Sequence, residues 1–540
     1  MKQLNESLIP ESGKKEAEGG NYFCTWCTQS AMLDPSSGGN DKAAAMRDML
    51  TEQFLFSESD GILTDDRMLP VRGDLTVVLD DGWDVPPGTE NPSHSNRFGS
   101  LHIALEKFPF LQAAGSPEEA LKEMNERMLS LGYRGTGVWV SPQIPWPDGS
   151  LSPKRSMSEF RKHWEDCAAL CDRAGIRYWK VDWGNCGSAE HRKIITEALR
   201  ESAPGIRIEH ALVQNPLTPE NPDFLKDRLE YLAEILPFSD FLRTYDIVKE
   251  FETVTTLFRC MEAFHAAEQC FGKPQQSENG AVIPADGGCI LNVEDEPYIA
   301  ASLGCANGVM RHRAEHPSRT AEWERRHPFW KEKGLGHLRK QLTLDESFRS
   351  LRFQRIAPPF PLAGSDNRCA EKMLSDTHSF HQDSWPFLRG PYTESAPAVL
   401  TRNCDFPEIL SPVFSEEERP FLTAMRHPNG VLALAALPRF RNGIRSIPKV
   451  RIRMETKRMD FTAGLFGDFD AVIFALPETL PEGKRILMQD LIGERAFDVS
   501  SEISCEGKLL SVPGDLIRKV GLSSATPGDF SRAGALLSLR

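Results

Sequence analysis

The stretch GIRYWKVDWGNCG, residues 175–187, ends an apolar, aromatic run in Lys180 and Asp182 with a single valine between them. In an extended strand alternate side chains share a face, so the ammonium and the carboxylate point one way and Val181 the other. A lysine beside an aspartate keeps it ionised, and an ionised carboxylate at a strand end is suited to nucleophilic attack or to holding hydroxyl groups. The same ending recurs along the chain. LTVVLDDGW (75–83) closes on Asp80, Asp81 and Trp83, and IRIEHALV (206–213) carries Glu209 and His210. DFLRTYD (240–246) carries Arg243 and Asp246, and CILNVED (289–295) closes on Glu294 and Asp295. Any one of these is readable as a cap or an interior ion pair. Five in series ask for a common pocket, because so many charges brought together are costly unless they pair or meet a polar ligand.

The elements that must position them alternate. With NYFCTWCTQ (21–29) and GTGVWVSP (135–142) there are seven β-rich runs in order, separated by amphipathic segments of helical length. That is the pattern of parallel βα units. In SPEEALKEMNERMLSLGY (116–133) Ser116 is placed to cap and Pro117 to start a helix, and FRKHWEDCAALCDRAG (160–175) carries Trp164, Cys167, Ala168 and Cys171 at helical spacing before Gly175. VKEFETVTTLFRCMEAF (248–264) and PYIAASLGCANGVM (297–310) read as outer helices, and LRFQRIAPPF (351–360) is the expected eighth strand. The fold class that follows is α/β: a (β/α)8 TIM barrel over 21–365, in which chemistry collects at the C-terminal ends of the strands. Residues 366–391 read as a linker or irregular region. From 392 to 540 short runs such as GVLALAALP, KVRIRME, AVIFALP and KLLSVPG, with no helical period, predict an antiparallel β-sandwich.

Composition narrows the class. Over 540 residues the hydrophobic share is 40%, the charged share 26% and the net charge −14, spread along the chain. This describes a globular chain for which nucleic acid is not an expected partner. No stretch approaches the roughly 18 apolar residues of a membrane span, and the first 20 residues lack a signal-type apolar core. They are expected to be a disordered leader on a cytoplasmic protein; a homo-oligomer stays open. The 12 cysteines are scattered, and Cys24 and Cys27 have no second C-x-x-C to complete a zinc site. They read as structural.

VVLDDGW, YWKVDWGNC, FLRTYDI and ILNVEDEPYIAASLGCANGV, in that order, resemble the melibiase-type α-galactosidases and their clan of retaining α-glycoside hydrolases. The likeness spans about 77–310, and the β-rich tail resembles the clan's C-terminal sandwich. It implies that Asp182 is the catalytic nucleophile and Lys180 a contact to sugar hydroxyls. Asp80 and Asp81 fall on the paired acids that hold hydroxyls across the ring, Arg243 and Asp246 near the sugar-touching arginine and the general acid/base, and Glu209 and Asp295 on pocket acids. Two departures stand out: RTYD leaves two residues between Arg243 and Asp246 where many relatives have three, and NVED stands where many have NDPD. The implied partner is a carbohydrate, with no cofactor and no metal. Trp83, Trp139, Trp179 and Trp183 lie near strand ends, where aromatic faces stack on sugar rings or fill the core.

Two rival readings compete with a glycosidase. In a metal-dependent barrel isomerase or lyase, Asp81, Asp182, Glu209, His210 and Asp295 would ligate a divalent ion through hard donors. The other is a barrel that binds carbohydrate without cleaving it.

Overall fold

The computed structural model describes residues 1–11, 20–34, 42–145, 156–211, 230–244, 253–272, 288–310, 312, 318, 344–369, 373–378, 392–410, 420–441, 444–446 and 449–540. Eight parallel strands close into a barrel. They are β1 (Tyr22–Cys24), β2 (Thr76–Leu79), β3 (Thr136–Val140), β4 (Tyr178–Val181), β5 (Arg207–Ala211), β6 (Phe241–Arg243), β7 (Ile290–Glu294) and β8 (Ala306–Val309). β1 pairs with β2 on one side and β8 on the other, so no edge is left open. Strand alternation divides the residues cleanly. Phe23, Val77, Leu79, Val138, Val140, Trp179, Val181 and Ile208 face outward into the core under the helices. Tyr22, Cys24, Val78, Tyr178, Phe241, Ile290 and Ala306 face inward.

The outer helices form where their capping signals stand. α1 (Pro117–Ser130) begins at Ser116, whose hydroxyl accepts from the Glu119 N–H, and α2 (Met157–Arg173) begins in a reciprocal capping box of Ser156 and Glu159. α3 (Ala189–Ser202) is capped by Ser188. The buried stripe of α2 is Phe160, Trp164, Cys167, Ala168 and Cys171, as its spacing predicts.

The eighth strand differs from expectation. PYIAASLGCANGVM is not one helix: α4 (Pro297–Leu303) ends at Gly304, and β8 follows two residues later. Gly304 sits at φ +62°, and a Cβ there would lie 2.1 Å from the Phe360 ring, so only glycine makes this stop. Residues 351–360 instead finish α5 (Leu344–Gln354) and leave it as a loop. Leu344, Phe348 and Leu351 recur at helical spacing, and Pro358 and Pro359 lack the N–H groups that a barrel strand needs.

Beyond the barrel, among the described residues, lie two larger sheets and two two-stranded hairpins, Met373–His378 with Tyr392–Pro397 and Arg439–Arg441 with Ile444–Ser446. The larger has nine strands: Lys2–Gln3, Phe497–Asp498, Ile486–Asp490, Gly534–Leu539, Phe461–Gly467, Leu432–Leu437, Phe421–Arg426, Val399–Arg402 and Asn367–Cys369, edge to edge. The smaller has five: Glu408–Ile409, Val450–Glu455, Phe469–Ala475, Leu509–Pro513 and Ser504–Glu506. Most neighbours are antiparallel, with parallel pairs at Val399–Arg402 with Phe421–Arg426, Leu432–Leu437 with Phe461–Gly467, and Val450–Glu455 with Phe469–Ala475. One face of the larger sheet packs on the smaller through Leu422, Leu434, Leu465, Ile452, Val472 and Phe474. The other packs on α4 and α5 through Phe421, Ala433, Ala435, Phe466, Tyr298 and Phe353. Burial on both faces explains why LALAAL reads as an unbroken apolar run. Buried ion pairs pin the same junction, Arg349 to Asp490 at 2.9 Å and Arg532 to Glu346 at 2.8 Å.

Two further expectations are corrected. Of the leader expected over residues 1–20, residues 12–19 lie outside the described residues, while Lys2 and Gln3 pair with Asp498 and Phe497 and Leu8 and Ile9 are buried in the core. Within 366–391, expected to be irregular, Asn367–Cys369 is an edge strand, and Met373–His378 forms a hairpin with Tyr392–Pro397. Among the described residues no helix is long and apolar enough to cross a membrane.

Candidate active site at the barrel mouth

In register, Trp139 lies opposite Lys180 and Lys180 opposite Glu209, so β3, β4 and β5 bring these side chains to one level. Lys180 does not pair with its neighbour Asp182. Its ammonium crosses the barrel to Asp80 Oδ2 at 2.9 Å and Glu294 Oε1 at 3.2 Å, and donates to Cys24 Sγ at 3.3 Å. Burial alone would drive a lysine toward its neutral form, yet Asp80, Cys24 and Glu294 hold it well above the ordinary range. Glu294 is pulled below its ordinary value against the effect of burial by Lys180 and Arg243, and it also accepts from the Tyr22 hydroxyl. The interior is thus a closed ionic lattice rather than a pair on one strand.

Asp182, one step beyond β4, is 7% exposed where Lys180 is 1%. Its Oδ2 receives the Arg243 guanidinium at 2.8 Å and the Trp139 indole N–H at 3.0 Å. Arg192 donates to its backbone carbonyl at 2.6 Å. Burial favours the neutral acid, but Arg243, then Lys180 and the Trp139 hydrogen bond, outweigh it and hold the carboxyl below its ordinary value. Both side-chain bonds fall on Oδ2. Among the described residues nothing donates to Oδ1, so the ionised group keeps one oxygen for an incoming atom.

Asp81 has the opposite character. Burial raises its carboxyl to about 8, opposed by Arg47 at 3.6 Å and reinforced by Asp80, Asp84 and Asp182. Its Oδ1 is buried without a hydrogen-bond partner among the described residues. Asp84 is raised to about 7, chiefly by burial, while its Oδ2 accepts from the Gly99 N–H at 3.1 Å. A neutral acid and an ionised one, close enough to feel each other's charge, therefore share this end of the barrel. Environments that separate two carboxyl groups in this way divide the roles of acid and nucleophile.

The structure sorts the expected residues. Asp80, Lys180, Asp182 and Arg243 converge, and Asp81 stands beside them. Glu209 stands at the level of Lys180, wholly buried, and accepts from Tyr178 at 2.9 Å and Tyr22 at 3.3 Å. Trp83 is also wholly buried; its indole donates to the Trp139 carbonyl at 2.9 Å and braces β3 instead of lining the opening. Asp295 turns the chain after β7 at φ +55° and accepts from the Met310 N–H at 3.3 Å, tying β7 to β8. Asp246 lies outside the described residues. His210 points away from the barrel axis, bonded to Thr196 and Arg192 on α3, and cannot share a metal with Asp182. Among the described residues no group of three His, Cys, Asp or Glu is arranged to hold a metal ion.

Sequence reading passes over Tyr22 and Cys24 as site residues, and places Glu294 and Trp139 near strand ends without giving either a role. Alternation was the available signal: Tyr22 and Cys24 share one face of β1, and Ile290, Asn292 and Glu294 share one face of β7. Arg47 comes from the helix Lys42–Met49, far from any strand end, and nothing in its surroundings marks it.

Burial raises Glu209 to about 7, with Glu294 adding to the shift, against 4.5 for a free glutamate. Between those values the folded chain holds a proton that the unfolded chain has released, so stability falls as pH rises across this window. Glu209→Gln should remove that slope, worth about 3 kcal/mol, when urea denaturation is followed from pH 4.5 to 7.5. A slope unchanged in the variant would place the proton elsewhere.

No family model and no curated protein matches the chain. Among solved structures it is similar to an α-amylase from Malbranchea cinnamomea, at 9% identity and TM-score 0.39, over 97% of each chain. It is also similar to pullulanase type I from Bacillus subtilis, at 13% identity and TM-score 0.39, over 100% of this chain and 72% of that one. A family 51 α-L-arabinofuranosidase from Bifidobacterium longum aligns at 10% identity and TM-score 0.32, over 100% and 97%. Likenesses this distant add nothing to the barrel that the strand pairing already establishes.

Proposed function

We propose that the chain is a retaining glycoside hydrolase that cleaves terminal α-linked sugars in the manner of an α-galactosidase. The observation that supports this most is Asp182: an ionised carboxylate at the mouth of the barrel, with one oxygen fixed by Arg243 and Trp139 and the other open. A retaining enzyme needs such a group to attack the anomeric carbon, with a protonated carboxyl roughly 5 Å away to release the leaving oxygen. Asp80 and Asp81 hold ring hydroxyls, and a neutral Asp81 donates as well as accepts. The preference for an α-linked galactose-like sugar comes from the DDGW and KVD motifs.

Asp246 is the proposed acid/base. Asp246→Ala should cripple substrates with poor leaving groups while sparing activated aryl glycosides in the first step, and it should remove the basic limb of the pH profile. Unchanged relative rates would move the role to another carboxyl, with Asp81 the next to test. The function itself is tested with a panel of p-nitrophenyl α- and β-glycosides, following the first-formed anomer by NMR. Cleavage of an α-glycoside with the α-anomer appearing first is expected. Inversion, or no cleavage of any glycoside in the panel, overturns the proposal.

A further inference from the structure

We infer that Trp183 is a stacking platform for a second sugar ring, the leaving group of the substrate. This deepens the hydrolase reading above and rests on it. Of the four tryptophans near strand ends, three are wholly enclosed: Trp83, Trp139 and Trp179 are each no more than 1% exposed. Trp183 is 40% exposed and immediately follows Asp182 in the chain.

It is not a loose surface ring. Its ring lies 5.1 Å from Phe98 and 6.0 Å from Trp139, and Phe98 and Trp139 are 5.3 Å apart, so three aromatic rings form one cluster. Trp139 in turn donates to Asp182 Oδ2, which ties the cluster to the reacting carboxylate. The backbone on both sides is fixed. The Trp183 carbonyl accepts from Ser141 at 3.0 Å, Gly99 next to Phe98 donates to Asp84, and a Cβ on Gly184 would lie 2.5 Å from Ser141 Oγ. One edge of the cluster is thus packed against the core while Trp183 presents apolar surface to solvent beside the nucleophile.

Trp183 leaves apolar ring surface in water next to the reacting carboxylate, and covering it with another apolar face is favourable. A pyranose offers a flat face of C–H groups that matches an aromatic face, with its hydroxyls left at the rim for water. The sugar being cleaved must reach inward to Asp80, Asp81 and Lys180, which leaves the ring on the far side of the scissile bond to meet Trp183. Rigid placement costs little ordering on binding, because Phe98 and Trp139 already hold the indole.

The experiment compares Trp183→Ala with the parent on methyl α-galactoside and on melibiose, 6-O-α-galactosyl-glucose. Both release an unactivated aliphatic alcohol of similar acidity after protonation of the leaving oxygen, so the main difference is the second ring. The expected loss in kcat/KM is about tenfold larger for melibiose than for the methyl glycoside, with Trp183→Phe keeping most of the parent preference. The methyl glycoside reports any disturbance that the substitution passes to Asp182, and the Phe variant keeps the comparison open should the alanine variant fold poorly. Equal losses on both substrates, or none on either, overturn the platform and leave the hydrolase standing. A parent protein that cleaves neither these nor any aryl glycoside overturns the hydrolase and the platform with it.

Discussion

Asp182→Ala is expected to lower turnover of an aryl α-glycoside by several orders of magnitude, because no covalent intermediate can form without the attacking oxygen. Arg243 and Trp139 would then point at an empty space that a small anion fits. Azide should restore part of the rate, and because it attacks from the side Asp182 used, the product should be the β-glycosyl azide. The measurement is the rate with and without azide together with the anomeric configuration of the product. Near-normal turnover in the variant would remove Asp182 from the chemistry, and azide rescue in Asp81→Ala instead would exchange the roles of the two carboxyls.

Lys180→Met is expected to cost about 3–5 kcal/mol of folding stability, since it breaks a buried lattice and leaves Asp80 and Glu294 facing each other across the vacated ammonium. Methionine fills nearly the same volume, so packing loss is minor. The deficit should depend on pH. In the parent, Lys180 and Arg243 hold Glu294 below its ordinary value, a contribution present above the unfolded carboxylate range and lost as pH falls through the folded one. Without the lysine a stranded carboxyl in the folded chain takes up a proton more readily than in the unfolded chain, so the variant loses stability as pH rises. Urea denaturation at pH 7.5 and pH 4.5 should therefore show a large deficit at the first and a smaller one at the second. An equal deficit at both would assign the loss to packing.

Much of the barrel was legible because its strands obey two independent rules at once. β2, β4 and β7 alternate inward polar with outward apolar residues near their ends, and the cap at Ser116 and the spacing of Trp164, Cys167, Ala168 and Cys171 announce helices between them. The eighth strand was hidden by its brevity: ANGV is four residues of weak β character, and only the left-handed glycine at 304 separates it from the preceding helix. The site was legible as a set of residues but not as a set of pairs. Adjacency on β4 suggested Lys180 with Asp182, whereas a barrel interior lets a long side chain reach across the axis, and Lys180 takes Asp80 and Glu294 while Arg243 takes Asp182. Glu209 and Trp83 stand near strand ends and so read as lining the opening; both are wholly buried, and burial is a property that a linear sequence does not carry.

The two-residue strand at Lys2–Gln3 ties the start of the chain to Phe497–Asp498. During synthesis the barrel strands emerge one after another and each finds its neighbour promptly, apart from β1, which awaits β8 to close the ring. The opening segment waits much longer: at ribosomal speeds of roughly 5–20 residues per second its partner arrives about half a minute or more later. Until then Leu8 and Ile9 lack Leu487, Leu491 and Ala496, the part of their core that lies beside Phe497–Asp498. The pairing of residues 2–3 with residues 497–498 thus joins segments whose synthesis is separated by nearly the whole sheet region, and it comes after closure of the barrel rather than before it.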